Sequence, residues 1–138
     1  MDGAGFRFPY DDGSFDLVVG KSVWTHLLRE EASAYLAECA RVLRVGGRCW
    51  ISFFLLNDES RRLVDEDRAS MRFPFERDEV HRVNVQESPE AAVAYDERFV
   101  VASFQRNGLK PQVPIDYGTW SGRTDGSDYQ DVVLATKT

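Results

Sequence analysis

Between Phe15 and Leu56 the sequence runs strand, helix, Gly-Gly turn and strand, and few folds accept that order. Phe15 to Val19 is a short apolar run, the pattern of a strand buried on both faces in a parallel sheet. Asp11-Asp12-Gly13-Ser14 ahead of it is turn chemistry. From about Glu30 to Arg44, the residues Tyr35, Leu36, Cys39, Val42 and Leu43 recur at helical spacing, with Glu31, Glu38 and Arg41 on the opposite side, which predicts an amphipathic helix. Gly46-Gly47 is expected to end it, Gly46 as a left-handed cap, with Arg44 placing a cation at the negative end of the helix dipole. Cys49 to Leu56 is apolar almost throughout and reads as a second central strand. Two parallel strands joined through a helix make a right-handed βαβ unit, so helices must cover the faces of the sheet.

The rest of the chain extends this unit without completing a small fold. Asn57 to Arg72 is dense in charge, with only Leu63, Val64 and Met71 to bury, and predicts a solvated surface helix. Phe73 to Pro89 is irregular, so 57–89 together form a lid or excursion from the sheet. Phe99, Val100, Val101 and Phe104 predict a helix with Asp96 at its N-cap and Gly108 just beyond its end. Pro111 to Tyr117 is an edge strand at most, restricted by Pro111 and Pro114. Gln130 to Thr136 is a final strand. One domain is the expectation for 138 residues, and this order fits part of a doubly wound α/β sheet.

Bulk properties narrow the partners. A net charge of −6 leaves no basic surplus for a phosphate backbone, so nucleic acid is not favoured. No apolar run is long enough to span a bilayer and the first residues lack a signal peptide's basic and apolar regions, so a cytoplasmic address is expected, with no membrane partner. Cys39 and Cys49 have no metal-ligand spacing and read as buried, reduced thiols. His26 and His81 stand alone, so no metal is expected.

Three segments carry a resemblance: "FRFPYDDGSFDLVVGKSVWTHL" (Phe6 to Leu27), "YLAECARVLRVGG" (Tyr35 to Gly47), and the tail from "NGLKPQ" to "DYQDVVLATK" (Asn107 to Lys137). Together they resemble the C-terminal half of the class I S-adenosylmethionine-dependent methyltransferases. The resemblance implies a partial Rossmann-like, three-layer αβα domain with strands corresponding to the family's fourth to seventh. It departs from the family at Val45, where Pro is usual, and in having no GxGxG turn or preceding strands within the 138 residues. Those strands hold the principal cofactor contacts.

The implied activity is methyl transfer from S-adenosylmethionine to a small-molecule acceptor. By the same resemblance, Asp2 and Gly3 fall at the adenine, and Gly20, Lys21 and Ser22 leave a strand at the carboxyl edge, where open α/β sheets bind ligands. Trp24 and His26 follow on the acceptor side. An imidazole titrates near neutrality, so His26 serves as a general base or else only packs locally. Trp120 would stack on an aromatic acceptor and Arg123 would clamp a carboxylate or phosphate, unless their loop is simply anchored by its Trp. Asp16, Ser22 and His26 contain the letters of a hydrolase triad, but "GKSVW" lacks the GxSxG elbow.

An apolar strand at Phe15 to Val19 with no neighbour on one side is an association site. The chain is then a truncated piece or one whose start is set at an internal Met. Alternatively it is a non-catalytic remnant that dimerises or binds through that edge, or it is completed by a second chain.

Overall fold

The computed structural model describes residues 7–138. Its elements are β1 (Phe15–Gly20), α1 (Arg29–Val42), β2 (Leu43–Leu56), α2 (Asp58–Asp65), β3 (Phe75–Glu76), β4 (His81–Val83), β5 (Val93–Asp96), α3 (Glu97–Arg106), β6 (Leu109–Pro111) and β7 (Asp131–Lys137). They build a seven-stranded mixed sheet flanked by helices, in the order β3-β4-β5-β2-β7-β6 with β1 also paired to β2. The α/β reading of the sequence holds, including the parallel β1-α1-β2 unit. No helix among the described residues is long and apolar enough to cross a membrane.

β2 is the spine. Its residues Arg48 to Ile51 pair with β1 on one edge and with β7 on the other, and Phe54 to Leu56 then pair with β5. The Gly-Gly pair has a different role from the one expected. α1 ends at Val42 and the chain passes through an extended Leu43 directly into β2. Register jumps from Phe15 opposite Leu43 to Leu17 opposite Arg48, so residues 44–47 form a bulge in which Gly46 adopts φ +85°. Gly46 thus supplies positive φ to a strand irregularity and not to a helix cap.

Alternation along the strands divides the packing between two faces. Cys49, Ile51, Phe53 and Leu55 of β2, with Val133 and Ala135 of β7, pack beneath α1 and α3 on Leu36, Cys39, Val100 and Phe104. Phe54, Leu56 and Ala94 point the other way into a smaller cluster with Phe73, Ala92 and Trp120, against which Val64 of α2 packs. The second cluster covers only the carboxyl end of that face. Toward the amino end of β2, Leu17 and Val19 remain 57% and 59% exposed, so β1 is bare on one face where the sequence predicted burial on both.

Burial pushes the Cys39 thiol up to about 12 and the Cys49 thiol up to about 11, so neither is a nucleophile. Glu38 and Arg41, assigned by periodicity to the wet side of α1, instead hold the segment before β1: Arg41 donates to the carbonyls of Phe8 (2.9 Å) and Tyr10 (2.8 Å), and Glu38 accepts from the Phe8 N–H (2.7 Å).

Segment 57–89 contributes α2 and the strands β3 and β4, which join the sheet through β5. Asn57 and Ser60 form a reciprocal cap on α2. In β4, His81 stacks on Tyr95 at 5.5 Å, and its Nδ1 lies 2.7 Å from Asp78, which also accepts from Arg29 at 2.8 Å. Burial alone would raise the Asp78 carboxyl, but the His81, Arg29 and Val80 donors outweigh it and hold the group well below the usual carboxylate range. A depressed acid stabilises the fold above its unfolded pKa and loses that contribution as pH falls. Acid titration followed by circular dichroism is therefore expected to show stability declining below about pH 4, with a smaller decline in Asp78→Asn.

Candidate functional site

β1 and β2 run parallel, and the carboxyl end of β1 opens beside the middle of β2 into a cleft of about 230 Å3 lined by Lys21, Ser22, Trp50, Ser52, Asp128 and Gln130, among others. The turn that enters it is held in an uncommon conformation, with Ser22 at φ +59°. Ser52 of β2 fixes that turn: its hydroxyl accepts from the Ser22 N–H at 2.9 Å and donates to Gln130 Oε1 at 2.6 Å. The Ser22 hydroxyl reaches the same Gln130 oxygen at 3.3 Å. One backbone N–H, two hydroxyls and an amide from three separate segments thus shape the end of β1.

Gly20 and Trp24 lie under this turn. A Cβ on Gly20 would fall well inside contact distance of the Trp24 ring. Trp24 is buried, and its indole N–H donates to the Ala32 carbonyl at 3.0 Å. Gly20→Ala is expected to cost about 2 kcal/mol through overpacking, measured as a shift in the urea midpoint with unchanged slope.

His26 ends the short helical turn Trp24–His26 and is exposed. Its Nδ1 lies 2.9 Å from the Glu90 carbonyl, in the short turn before β5. A carbonyl only accepts, so Nδ1 carries the proton and a neutral ring keeps its lone pair on Nε2. His26 is not among the residues lining the cleft at Lys21 and Ser22.

The loop between β6 and β7 is organised by a residue the sequence reading passed over. Asp131 is 2% exposed. Its carboxylate accepts from the Leu55 N–H (2.7 Å), the Gly118 N–H (2.8 Å) and the Trp120 indole (2.8 Å). Burial pushes this carboxyl up, while those three donors pull the other way. Trp120 itself is fully enclosed, edge-on to Phe54 and Phe73 at 5.5 and 5.3 Å. It has no exposed ring face for the stacking role that its loop position suggested.

Arg123 reaches a second cleft, of about 470 Å3, at the end of β2. Its guanidinium lies over the Tyr117 ring at 4.2 Å and leans on Asn57 Oδ1 at 3.4 Å. Burial and the neighbouring Glu97 push the Tyr117 phenol up to about 12, so the group is a neutral donor, to Glu97 at 2.6 Å. Asp2 and Gly3 lie outside the described residues. The structure therefore joins Lys21 to Ser22, places Gly20 and Trp24 beneath them, and separates Trp120, Arg123 and His26 from that cleft. Sequence reasoning missed Ser52, Gln130, Asn57 and Asp131. Ser52 and Asp131 stand out only as polar residues inside otherwise apolar strands, a signal that can be read once the sheet's faces are known.

An open α/β sheet with helices on its faces and a polar cleft at the carboxyl end of a parallel strand is a Rossmann-like domain. Residues 1–51 match the methyltransferase domain family model. The fold is also that of solved methyltransferases, and the chain accordingly resembles the class I S-adenosylmethionine-dependent family. A methyltransferase of that type from Methanosarcina mazei superposes with a TM-score of 0.63 at 19% identity, over 99% of this chain and 65% of the other. The 1,6-didemethyltoxoflavin N1-methyltransferase of Burkholderia thailandensis, solved with 1,6-didemethyltoxoflavin and S-adenosylhomocysteine, gives 0.58 at 17% identity, over 100% and 49%. The magnesium protoporphyrin IX methyltransferase of Synechocystis, with bound S-adenosylhomocysteine, gives 0.58 at 19%, over 100% and 49%. The chain spans about half to two thirds of the length of these proteins.

Proposed function

We propose that the domain takes part in methyl transfer from S-adenosylmethionine to a small-molecule acceptor, with the cleft at the carboxyl end of β1 as its reaction edge. The observation that carries this reading is the turn at Ser22, held at positive φ by Ser52 at the edge where parallel α/β sheets bind ligands. Residues present there suit part of the cofactor. Asp128 offers a carboxylate to an ammonium or hydroxyl, Lys21 and the Ser22 hydroxyl offer donors, and Trp50 offers an apolar wall. When bound, the cofactor supplies a methyl group on a sulfonium, whose displacement needs little more than alignment and exclusion of water.

The chain's own residues then have positional tasks. Ser52 and Gln130 fix the turn, and Lys21 and Ser22 face the ligand. His26 and Arg123 lie outside this cleft and are given no part in the transfer. That two of the similar structures are named for small-molecule methylation supports an acceptor of that kind. A cytoplasmic setting is the one we assign to this chemistry.

A second reading is favoured by the bare face of β1. With Leu17 and Val19 exposed, the domain would work as a non-catalytic association module, either as a homodimer or beside a complementing chain. Calorimetric titration of the 138-residue chain with S-adenosylhomocysteine separates the two. Saturable heat that is lost in Ser52→Val supports methyl transfer. No heat, with a homodimer in sedimentation, overturns it in favour of association.

A further inference from the structure

The second cleft, at the end of β2, holds an arrangement of charge that methyl transfer does not use. Glu97 begins α3, and one of its oxygens, Oε1, accepts from the Tyr117 hydroxyl at 2.6 Å and from Asn57 Nδ2 at 3.1 Å. Arg123 lies on the other side of the same two residues, flat on the Tyr117 ring at 4.2 Å and against Asn57 Oδ1 at 3.4 Å. A carboxylate and a guanidinium are thus anchored on one shared pair of side chains. Yet Glu97 and Arg123 form no ion pair within 4.0 Å among the described residues, and neither finds another oppositely charged partner there.

Two opposite charges held close but not neutralising each other leave both available to a ligand. Glu97 Oε2 has no hydrogen-bond donor among the described residues, and Arg123 uses only one of its five donors, in a long contact. The surrounding lining is mixed in the same way, with Arg61 and Arg98 against Asp58, Glu59 and Asp96. A simple anion would meet those acids, and a simple cation would meet the arginines. A group carrying both charges on neighbouring atoms meets neither penalty, and the cleft's volume of about 470 Å3 is enough for such a molecule.

We propose that this cleft binds the head group of an α-amino acid, its carboxylate on Arg123 and its ammonium on Glu97, with Tyr117 and Asn57 as the scaffold that keeps the two receptors apart. The proposal is independent of methyl transfer, because binding is read with neither cofactor nor turnover. A failure of the cofactor titration leaves it standing.

The test is a nuclear magnetic resonance titration of the 15N-labelled chain with L-norleucine, its methyl ester and its N-acetyl derivative. Saturable shifts at the amides of Asn57, Glu97, Tyr117 and Arg123 are expected with norleucine. Because a head group alone gives few contacts, the dissociation constant should be on the order of millimolar. Both derivatives should bind at least about tenfold more weakly, since each removes one charged contact of about 1.5 kcal/mol or more. Arg123→Gln should abolish the shifts, and Glu97→Gln should bring norleucine down to the level of the N-acetyl derivative. The wild-type comparison of the three ligands needs no variant and stands even if a substitution unfolds the loop. No saturable shift with norleucine, or equal binding of the ester, overturns the proposal.

Discussion

Asp131→Asn is expected to lower stability by about 3 kcal/mol and the melting temperature by about 10 °C. Both carboxylate oxygens already accept, one from Gly118 and the other from Leu55 and Trp120. An amide must turn its NH2 toward one of those N–H groups, so at least one buried donor loses its partner and another is opposed. The loss exceeds that of a surface hydrogen bond because no water reaches a residue that is 2% exposed. Differential scanning calorimetry measures it, and tryptophan fluorescence follows the release of Trp120. A shift of under about 1 kcal/mol would mean that water or a neighbour replaces the lost acceptor.

The double substitution Leu17→Lys with Val19→Lys is expected to act in the opposite way, leaving the fold intact and removing any association made through this face of β1. Both side chains are more than half exposed on one face of β1, so the isolated domain loses little. Any partner that covers this face must bury them, and completing the burial of a Leu and a Val contributes about 2 to 3 kcal/mol together. Two ammonium groups in their place should weaken such an association by about 100-fold, and sedimentation velocity across a concentration series reads the change. An unchanged association constant would move the interface away from β1.

The strands and helices with strong local signals were legible in the sequence, and their surroundings were less so. Asp96 caps α3 and Gly108 follows its end at φ +73°, both as expected, because a cap is set by residues a few positions apart. The Gly-Gly bulge was misread because Gly at positive φ serves a helix end and a strand irregularity equally, and only the partner strand decides between them. β5 was missed since four residues, Val93–Asp96, carry too short a period to register. At the site, Lys21 and Ser22 were placed by their position after an apolar strand. Ser52 and Gln130, 30 and 108 residues from Ser22, meet it only through sheet pairing. Trp120 was the converse case. The sequence left Trp120 open between stacking on a ligand and anchoring its loop, and the bond from its indole to Asp131, eleven residues on, fits the anchor.

The place of β7 bears on how the molecule is made. This strand, Asp131–Lys137, lies between β2 and β6 with its register running from Phe53 opposite Asp131 to Arg48 opposite Thr136. During synthesis, β2 has emerged from the ribosome long before its β7 partner exists, and one edge of the spine waits unpaired for about 80 residues of translation. Burial of Asp131, enclosure of Trp120 and attachment of β6 all wait on the same event. Emergence of β7, and not the appearance of the first βαβ unit, therefore sets the earliest moment at which this domain can be protease-resistant. A nascent chain arrested before residue 131 should remain susceptible in pulse proteolysis.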